Sequence, residues 1–265
     1  MFKKFNTKIL RKGEWIKNGA NQKLLAEMWG DYIDWQKRKK GENSWLVKQL
    51  KKYHCKKVFD SALGDGCDSI YLIKEGFDVA SNDIDEVFIK KAKENAKREN
   101  VRLKVLKLDW RRLTKKIPKE SFDAVLCLGN SLTCLSRYED RLTALKQFWA
   151  ILKKKGILII DKRHYRPILD NRERIFKGHF HYSGKYVYCG KYVHSKPVEI
   201  REDKITFKLY DKRTGKKAYF VVYPFTHWEL IYLLKNIGFL KIKQYSDYQL
   251  GYNPKADFFM YVCQK

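Results

Sequence analysis

The sequence predicts an α/β fold: a doubly wound, mostly parallel sheet of seven strands, with an antiparallel β cap insertion and an N-terminal helical arm. Two patterns predict it. From residue 56 to about residue 161, short apolar runs alternate with helical stretches, as is typical of buried parallel strands connected by helices. Residues 165–223 instead carry period-two runs rich in Tyr, Val and Phe, which indicate antiparallel strands. With 44% hydrophobic residues over 265 positions, the chain can bury one large core.

Residues 1–55 form the predicted helical arm and lid. They are highly charged, are interspersed with tryptophans, and show helical apolar spacing from Asn43 to Tyr53. The initial stretch MFKKFNTKIL lacks the apolar core of a signal peptide, and no apolar run approaches the roughly 18 residues that span a bilayer. We therefore expect a soluble, cytoplasmic protein without a membrane partner.

The α/β domain is predicted to comprise residues 56–164 and 224–265. Its strands are expected at KKVFD, FDVASND, RLKVLKL, FDAVLCLG, GILIID, FLKIKQY and DFFMYVCQ, and its helices at SIYLIKEG, EVFIKKAKENAKREN and RLTALKQFWAILKKK. A final helix should begin after Thr226, a residue type that caps helix N-termini, and end at Gly238.

The cap insertion is predicted over residues 165–223. Its strands are expected at YVYCGKYV, ITFKLYD and AYFVVYP, with a hairpin turn at residues 212–215. Since no low-complexity linker separates these strands from the α/β domain, we expect the cap to pack on the rim of the main sheet.

The chain is strongly basic. Its 57 Lys and Arg residues against 30 Asp and Glu give a formal net charge of +27. Such an excess attracts nucleic acid or acidic metabolites, but the lysines are spread over nearly every segment, which favours a generally basic surface over a binding stripe. The six cysteines include no Cys-x-x-Cys pair, so we expect reduced thiols and neither a disulfide framework nor a metal site.

A glycine loop after the first strand is the main functional signal. The stretch VFDSALGDGCDS places Gly64 and Gly66 between a strand and a helix, where a backbone without side chains can approach a ligand closely. A glycine turn at such a junction is often purely structural. Here, however, Asp83 ends the second strand about twenty residues further on, where it can accept hydrogen bonds from both hydroxyls of a ribose.

The loop favours S-adenosylmethionine over a dinucleotide. A dinucleotide needs a third glycine and an open helix N-terminus for its pyrophosphate, whereas this chain has Ser69 at the third position and two carboxylates nearby, Asp65 and Asp68. S-adenosylmethionine has no phosphate, and its sulfonium and ammonium groups are positively charged. Acidic side chains near the loop therefore suit it.

Two more strand ends extend the predicted site. Asp109 and Trp110 follow the third strand and could hold the edge and face of an adenine, although a strand-end aspartate beside a core tryptophan explains them equally well. The fourth strand ends in LGNS, residues 128–131. Because ligands of open α/β sheets bind at the carboxyl ends of the strands, we expect the reaction there.

Three motifs, ALGDGCDSIYLIKEGFDVASND, FDAVLCLGNSLTCL and GILIIDKRHYRPIL, resemble those of class I S-adenosylmethionine-dependent methyltransferases of the glycine and glycine/sarcosine N-methyltransferase group. The resemblance implies a Rossmann-like methyltransferase fold, with S-adenosyl-L-methionine as the cofactor and S-adenosyl-L-homocysteine as its product. It also implies cofactor contacts from the strand ends and from the arm segment WGDYIDWQKR. These contacts are Trp29, Tyr32, Arg38, Ala62, Gly64, Asp83, Asp109, Trp110 and Leu128.

The resemblance further implies a small-molecule amine substrate that bears a carboxylate. Arg163 would clamp the carboxylate with its guanidinium fork, and Asn130 would contact the substrate. The tyrosines that would line the methyl-transfer cavity are Tyr188, Tyr210 and Tyr223. The catalytic roles fall to Asn130 and to the first and last of these tyrosines. Animal glycine enzymes of the group have a histidine four residues after the asparagine, where this chain has Cys134, so we expect an altered glycine pocket.

The predicted function is N-methylation of a small amino acid or related amine, glycine- or sarcosine-like, by in-line displacement. An RNA or protein methyltransferase that uses the basic surface is the alternative, although LGNS is unlike the Asn-Pro-Pro-Tyr motif used on base amines. A cofactor-binding scaffold without turnover is a third hypothesis. The methyl acceptor, the number of methyls added and the oligomeric state are left open, and an oligomer is compatible with the sequence.

Overall fold

The computed structural model describes residues 19–181, 188 and 190–265. It confirms the α/β class: a mostly parallel main sheet has helices on both faces, and a separate antiparallel sheet of three strands accompanies it. The predictions for residues 1–18 and for most of YVYCGKYV lie outside the described residues. Within the described part, no helix is long and apolar enough to cross a membrane.

The helices are α1 (Gly19–Ile33), α2 (Trp35–Glu42), α3 (Trp45–Lys52), α4 (Cys67–Lys74), α5 (Glu86–Arg98), α6 (Tyr138–Ile151), α7 (Arg166–Asp170), α8 (Arg172–Phe176) and α9 (His227–Ile237). Among the described residues, two 3-10 helices span Trp110–Lys115 and Ser131–Cys134. The main sheet contains β1 (Lys57–Asp60), β2 (Asp78–Asn82), β3 (Lys104–Leu106), β4 (Phe122–Cys127), β5 (Leu152–Arg163), β9 (Lys241–Ser246), β10 (Gln249–Leu250) and β11 (Phe258–Gln264). The small sheet contains β6 (Val193–Ile200), β7 (Ile205–Asp211) and β8 (Lys217–Val222).

The strand order of the main sheet is β10-β9-β11-β5-β4-β1-β2-β3. β1 pairs in parallel with β2 on one side and with β4 on the other, so the direction of winding reverses between β1 and β4. Such a switch point leaves a crevice at the carboxyl ends of the strands. The sheet has eight strands rather than the predicted seven, because the two-residue β10 folds back on β9 and is too short to produce a period-two signal.

The parallel strands are buried on both faces. In β4, Val125 and Cys127 pack with α6 and α9, whereas Ala124 and Leu126 pack with the arm helices. Successive side chains of a strand point to opposite faces, so covering both faces requires an almost continuous apolar run. The central strands were therefore predictable from the sequence.

The predicted helix RLTALKQFWAILKKK is wrong at its end. α6 stops at Ile151, and Leu152 pairs with Phe122 as the first residue of β5, so the lysines that follow belong to a strand. Lysine is a good helix former, but the pairing of the strands overrides that local preference. The final helix is confirmed: Thr226 accepts a hydrogen bond from the Glu229 backbone at its start, and Gly238 caps its end.

The small sheet contacts α8 through β6 and contacts α1 through all three of its strands. β7 and β8 form the predicted hairpin around residues 212–215, whereas residues 190–192 are not extended and β6 begins at Val193. The Asn21 side chain of α1 pairs with the backbone of Tyr219 through two hydrogen bonds, 3.0 and 2.9 Å long. Arg213 also forms an ion pair with Asp31 of α1. These contacts connect the arm to the cap. The exact domain boundaries stay a prediction.

Candidate active site

The two glycines of the loop after β1 have different roles. Both have positive φ angles, +54° at Gly64 and +94° at Gly66. A Cβ on Gly66 would lie 3.1 Å from Ile70 and 3.2 Å from Ala92, so this glycine is required for close packing against α5. A Cβ on Gly64 would meet no protein atom closer than the Ala62 oxygen at 4.0 Å. The Gly64 backbone therefore borders open space in which a ligand can approach it.

Asp83 lies at the end of β2 beside that loop. Its Oδ2 accepts a hydrogen bond from the Gly64 N–H, and its Oδ1 accepts one from the Asp85 N–H, each 2.9 Å long. Desolvation raises its pKa to about 6. Each carboxylate oxygen can accept more than one hydrogen bond, so Asp83 still has capacity for ribose hydroxyls. The neighbouring Ile84, 63% exposed, adds an apolar surface that the sequence did not single out.

Buried carboxylates surround the loop. Asp65 accepts a 3.0 Å hydrogen bond from Trp35 Nε1, and Asp68 forms a 3.0 Å ion pair with Arg38 Nη2. Burial, with a smaller contribution from the charge of Asp68, raises the pKa of Asp60 to about 7 and that of Asp65 to about 6. Carboxylates with raised pKa values gain from a cation placed among them. The chemistry of this set therefore suits a positively charged ligand.

The arm helices supply three of the predicted cofactor contacts. Arg38 pairs with Asp68 at the start of α4, and the Tyr32 hydroxyl lies 2.8 Å from Ser195 Oγ in the cap. The Trp29 ring contacts Tyr32 and Phe88 edge-on, with centroids 5.6 and 6.0 Å apart. The arm thus bridges the cap and α5, and Arg38 links it to the start of α4.

Asn130 follows β4 in the left-handed region, with φ +63°. Its Oδ1 accepts a 2.9 Å hydrogen bond from the Arg163 N–H, and its Nδ2 donates to Thr133 Oγ1 and to the Tyr165 hydroxyl. Both amide hydrogens are therefore used, and one lone pair of Oδ1 remains. In this arrangement Asn130 can accept a hydrogen bond from a substrate but cannot donate one.

A carboxylate holds Asn130 in this unusual conformation. Asp161 accepts hydrogen bonds from the N–H groups of Asn130, at 2.5 Å, and of Gly129, at 3.1 Å. Asp161 is a site residue that was not predicted from the sequence. Its position at the end of a buried strand, like that of Asp60 and Asp83, is the signal that could have found it.

Arg163 is buried beneath aromatic rings. Its guanidinium carbon lies 5.6 Å from the centroid of Tyr188 and 5.4 Å from that of Phe258. Tyr188 in turn stacks on Tyr32 at 4.7 Å with an interplanar angle of 20°. The structure therefore brings Arg163 and Tyr188 together, and the Arg163 N–H donates to Asn130.

The two predicted adenine contacts, Asp109 and Trp110, also make contacts within the protein. Asp109 caps the following 3-10 helix and pairs with Arg111, whose hydrogen bonds lower the pKa of this carboxyl. Trp110 donates its indole N–H to the Ser61 carbonyl at 2.6 Å and contacts Phe148 edge-on. These contacts explain why both residues are ordered, and their role toward the adenine stays a prediction.

Of the remaining predicted residues, some lie near Asn130 or the strand ends and one lies apart from them. Tyr223 donates its backbone N–H to the Thr133 carbonyl at 2.8 Å, which places it beside Asn130. Ala62 and Leu128 lie at the ends of β1 and β4, as expected. Tyr210 stacks on His194 and points away from the side of β7 that carries the buried Leu209, so it lies apart from the group. The remaining residue, Cys134, is an exposed thiol at the end of a 3-10 helix.

Comparison with known proteins decides the family. A family model described as "Methyltransferase domain" matches residues 58–156. Glycine/sarcosine N-methyltransferase of Aphanothece halophytica is 38% identical, covering 91% of this chain and 88% of the relative. The chain belongs to the glycine/sarcosine N-methyltransferase family. The family member from Halorhodospira halochloris is 34% identical over 91% of this chain and 87% of its own. The fold agrees with an S-adenosylmethionine-dependent methyltransferase from Clostridium acetobutylicum ATCC 824, with a TM-score of 0.68 and 15% identity over 85% of this chain and 91% of the other.

S-adenosylmethionine is the cofactor of this N-methyltransferase family member, as predicted, and the residues present fit it. Gly64 borders open space, Asp83 retains capacity to accept hydrogen bonds, and Asp60 and Asp65 have pKa values that a bound cation would lower. A dinucleotide would instead place its pyrophosphate among these carboxylates, where the charges repel.

Proposed function

We propose that this protein transfers a methyl group from S-adenosylmethionine to the amine of a small amino acid, with glycine and sarcosine as acceptors. The names of its relatives support the acceptor class. The observation that carries the proposal is the buried Arg163, which lies at the end of β5 with its backbone bonded to Asn130 and its guanidinium beneath Tyr188. No observation favours the RNA or protein alternative, and the cytoplasmic location stays a prediction.

Arg163 is proposed to bind the carboxylate of the acceptor. A guanidinium stacked on aromatic rings still presents its N–H edge, and its planar fork matches a carboxylate with two parallel hydrogen bonds. The aromatic rings of Tyr188 and Phe258 limit the space beside it. A small α-amino acid satisfies both conditions.

The amine must react as a neutral group. S-adenosylmethionine supplies an electrophilic methyl group on a sulfonium, whereas an amino-acid amine titrates at roughly 8 to 10 and is mostly charged at neutral pH. The positive charge of Arg163 disfavours the ammonium form while the same side chain holds the carboxylate. Asn130 Oδ1 can accept an N–H of the neutral amine and so direct the nitrogen lone pair. We propose that the hydroxyl oxygens of Tyr188 and Tyr223 stabilise the positive charge that develops on nitrogen.

The test is a methyl-transfer screen with labelled S-adenosylmethionine over glycine, sarcosine, dimethylglycine, RNA and protein. Arg163→Ala should raise KM for the amino acid about tenfold to 150-fold, because hydrogen bonds to charged groups contribute about 1.5 to 3 kcal/mol. The cofactor's dissociation constant should stay within twofold to threefold, which corresponds to the roughly 0.5 kcal/mol expected of a substitution away from the affected contacts.

Arg172→Ala is the matched control, since this exposed arginine pairs with Glu202 on the surface. Its kinetic constants should equal those of the wild type. Equal losses of acceptor and cofactor binding in Arg163→Ala, or faster methylation of RNA or protein than of any amino acid, contradict the proposed function.

A further inference from the structure

Lys162 is a buried cation directly behind the acceptor site. It lies between Asp161 and Arg163 on β5, so its side chain points to the opposite face of the sheet, toward α6 and α9. The side chain is almost fully buried, with 2% of its surface exposed. Its Nζ lies 5.1 Å from the ring centroid of Phe225 and 5.9 Å from that of Tyr165.

The groups around Lys162 leave its charge poorly compensated. Glu229 of α9 accepts hydrogen bonds from Arg141 of α6, at 2.9 and 3.2 Å, and is therefore paired with that arginine instead of Lys162. His227 of α9 and His164 beyond β5 face the same region, and the strand neighbour of Lys162 on β11 is a phenylalanine. Within residues 19–181, 188 and 190–265, no ion pair reaches Lys162. Burial lowers the pKa of Lys162 to about 7, against the opposing charge of Glu229.

Both rings that face Lys162 are connected to Asn130 through hydrogen bonds. The Tyr165 hydroxyl accepts a hydrogen bond from Asn130 Nδ2. Phe225 follows Tyr223 by two residues, and the Tyr223 N–H donates to the carbonyl of Thr133, whose hydroxyl contacts Asn130 Nδ2 at 3.0 Å. A change in the position of either ring therefore reaches the amide that is proposed to orient the amine.

Stability alone does not account for a lysine at this position. A buried charge without a close partner costs free energy, and replacing buried ionic groups by apolar residues of similar size is often neutral or stabilising. Methionine has a similar length and would pack against Phe225 and Tyr165 without that cost. A residue that lowers stability but contacts the rings beside a reactive site is expected to contribute to function.

We propose that Lys162 is a positioning residue for the acceptor amine: its ammonium group attracts the face of Tyr165 and thereby holds Asn130 in place, and its neutral amine releases that ring. Phe225 also lies under Arg141, whose guanidinium carbon is 4.9 Å from the ring centroid, so its position does not depend on Lys162 alone. Cation–π attraction requires the charged form, so this support exists at low pH and is lost as the lysine deprotonates. The inference rests on the proposed function, because Asn130 is assigned there to the acceptor.

The test compares kcat/KM for the acceptor between the wild type and Lys162→Met from pH 6 to pH 9. Deprotonation of the amino acid affects both proteins equally and cancels in the ratio. The ratio of wild type to variant should be about threefold to thirtyfold at pH 6, the range of cation–π contacts at partly and fully desolvated sites, and should approach one at pH 9. Lys162→Arg, which stays charged, should match the wild type at pH 6 and exceed it at pH 9.

Lys265→Met is the matched control. Lys265 also lies over an aromatic ring, with its Nζ 3.9 Å from the centroid of Trp149, but it contacts the end of α6 rather than the acceptor site. The ratio of kcat/KM between the wild type and Lys265→Met should not depend on pH. Melting curves should show Lys162→Met at least as stable as the wild type at pH 6, since a buried charge has been removed.

A ratio for Lys162→Met that is constant from pH 6 to pH 9 overturns the proposal, whatever its size, because a purely structural role does not titrate. If Lys162→Arg does not fold, Lys162→Met alone still tests the proposed role. Failure of the proposed function would look different: the wild type would not methylate glycine or sarcosine at any pH. The ratio would then be measured with the acceptor that the screen identifies.

Discussion

Binding of S-adenosylmethionine should weaken as the pH falls from 8 to 5. The buried carboxylates at the strand ends titrate just below neutral pH: the pKa is raised to about 6 for Asp65, Asp83 and Asp161, and to about 7 for Asp60, mainly by burial. A cation among them favours their ionised forms. At a pH below these values, binding must first remove protons, and the affinity falls accordingly.

The size of the effect follows from these pKa values. If one carboxylate with a pKa of about 6 must ionise, the dissociation constant rises about elevenfold at pH 5, or about 1.4 kcal/mol, and changes little at pH 8. If two such groups must ionise, the factor is about 120-fold. S-adenosylhomocysteine lacks the sulfonium charge, so its affinity should depend less steeply on pH.

Isothermal titration calorimetry at pH 5, 6, 7 and 8 measures this dependence. Repeating each titration in two buffers with different ionisation enthalpies counts the protons released on binding. Glu99→Gln is a suitable control, because Glu99 pairs with Lys74 on the surface and should leave the curve unchanged. Equal affinities for S-adenosylmethionine at pH 5 and pH 8, or parallel curves for the two ligands, would refute the assignment of the carboxylates to the cofactor cation.

Three further predictions concern single residues. Asp83→Ala should weaken cofactor binding by about 1.5 to 3 kcal/mol, the scale of hydrogen bonds to a charged group, and an unchanged calorimetric affinity would remove the ribose assignment. Asp60→Asn should stabilise the ligand-free protein at pH 8, where the wild type must keep this buried carboxylate ionised. Because the folded-state pKa is raised to about 7, that advantage should be lost as the pH falls from 7 towards the unfolded value near 4, and a pH-independent difference in urea unfolding would contradict it. Arg141→Met should cost about 3 to 5 kcal/mol of unfolding free energy, since it leaves Glu229 unpaired and removes a 2.7 Å hydrogen bond to the Leu135 carbonyl; a loss below about 1 kcal/mol would show that solvent compensates the carboxylate.

The sequence by itself determined the parallel strands and the cofactor loop. Strands covered on both faces must be apolar along their whole length, and a loop that approaches a ligand must be glycine-rich, so both leave local patterns. The caps of α9 at Thr226 and Gly238 were predictable for the same reason, because capping depends on neighbouring residues.

Only the tertiary structure decided which polar groups meet at the acceptor site. Asp161, Lys162 and Tyr165 are close to Arg163 in sequence, but their contacts with Asn130, or with the rings beside it, depend on how β5 pairs with β4 and on which elements cover each face. The same applies to Tyr210, whose side of β7 places it away from the site. A local pattern records the period of a strand, whereas burial, pairing and pKa shifts arise from groups distant in sequence. For that reason the loop could be predicted from its residues, and the role proposed for Lys162 could not.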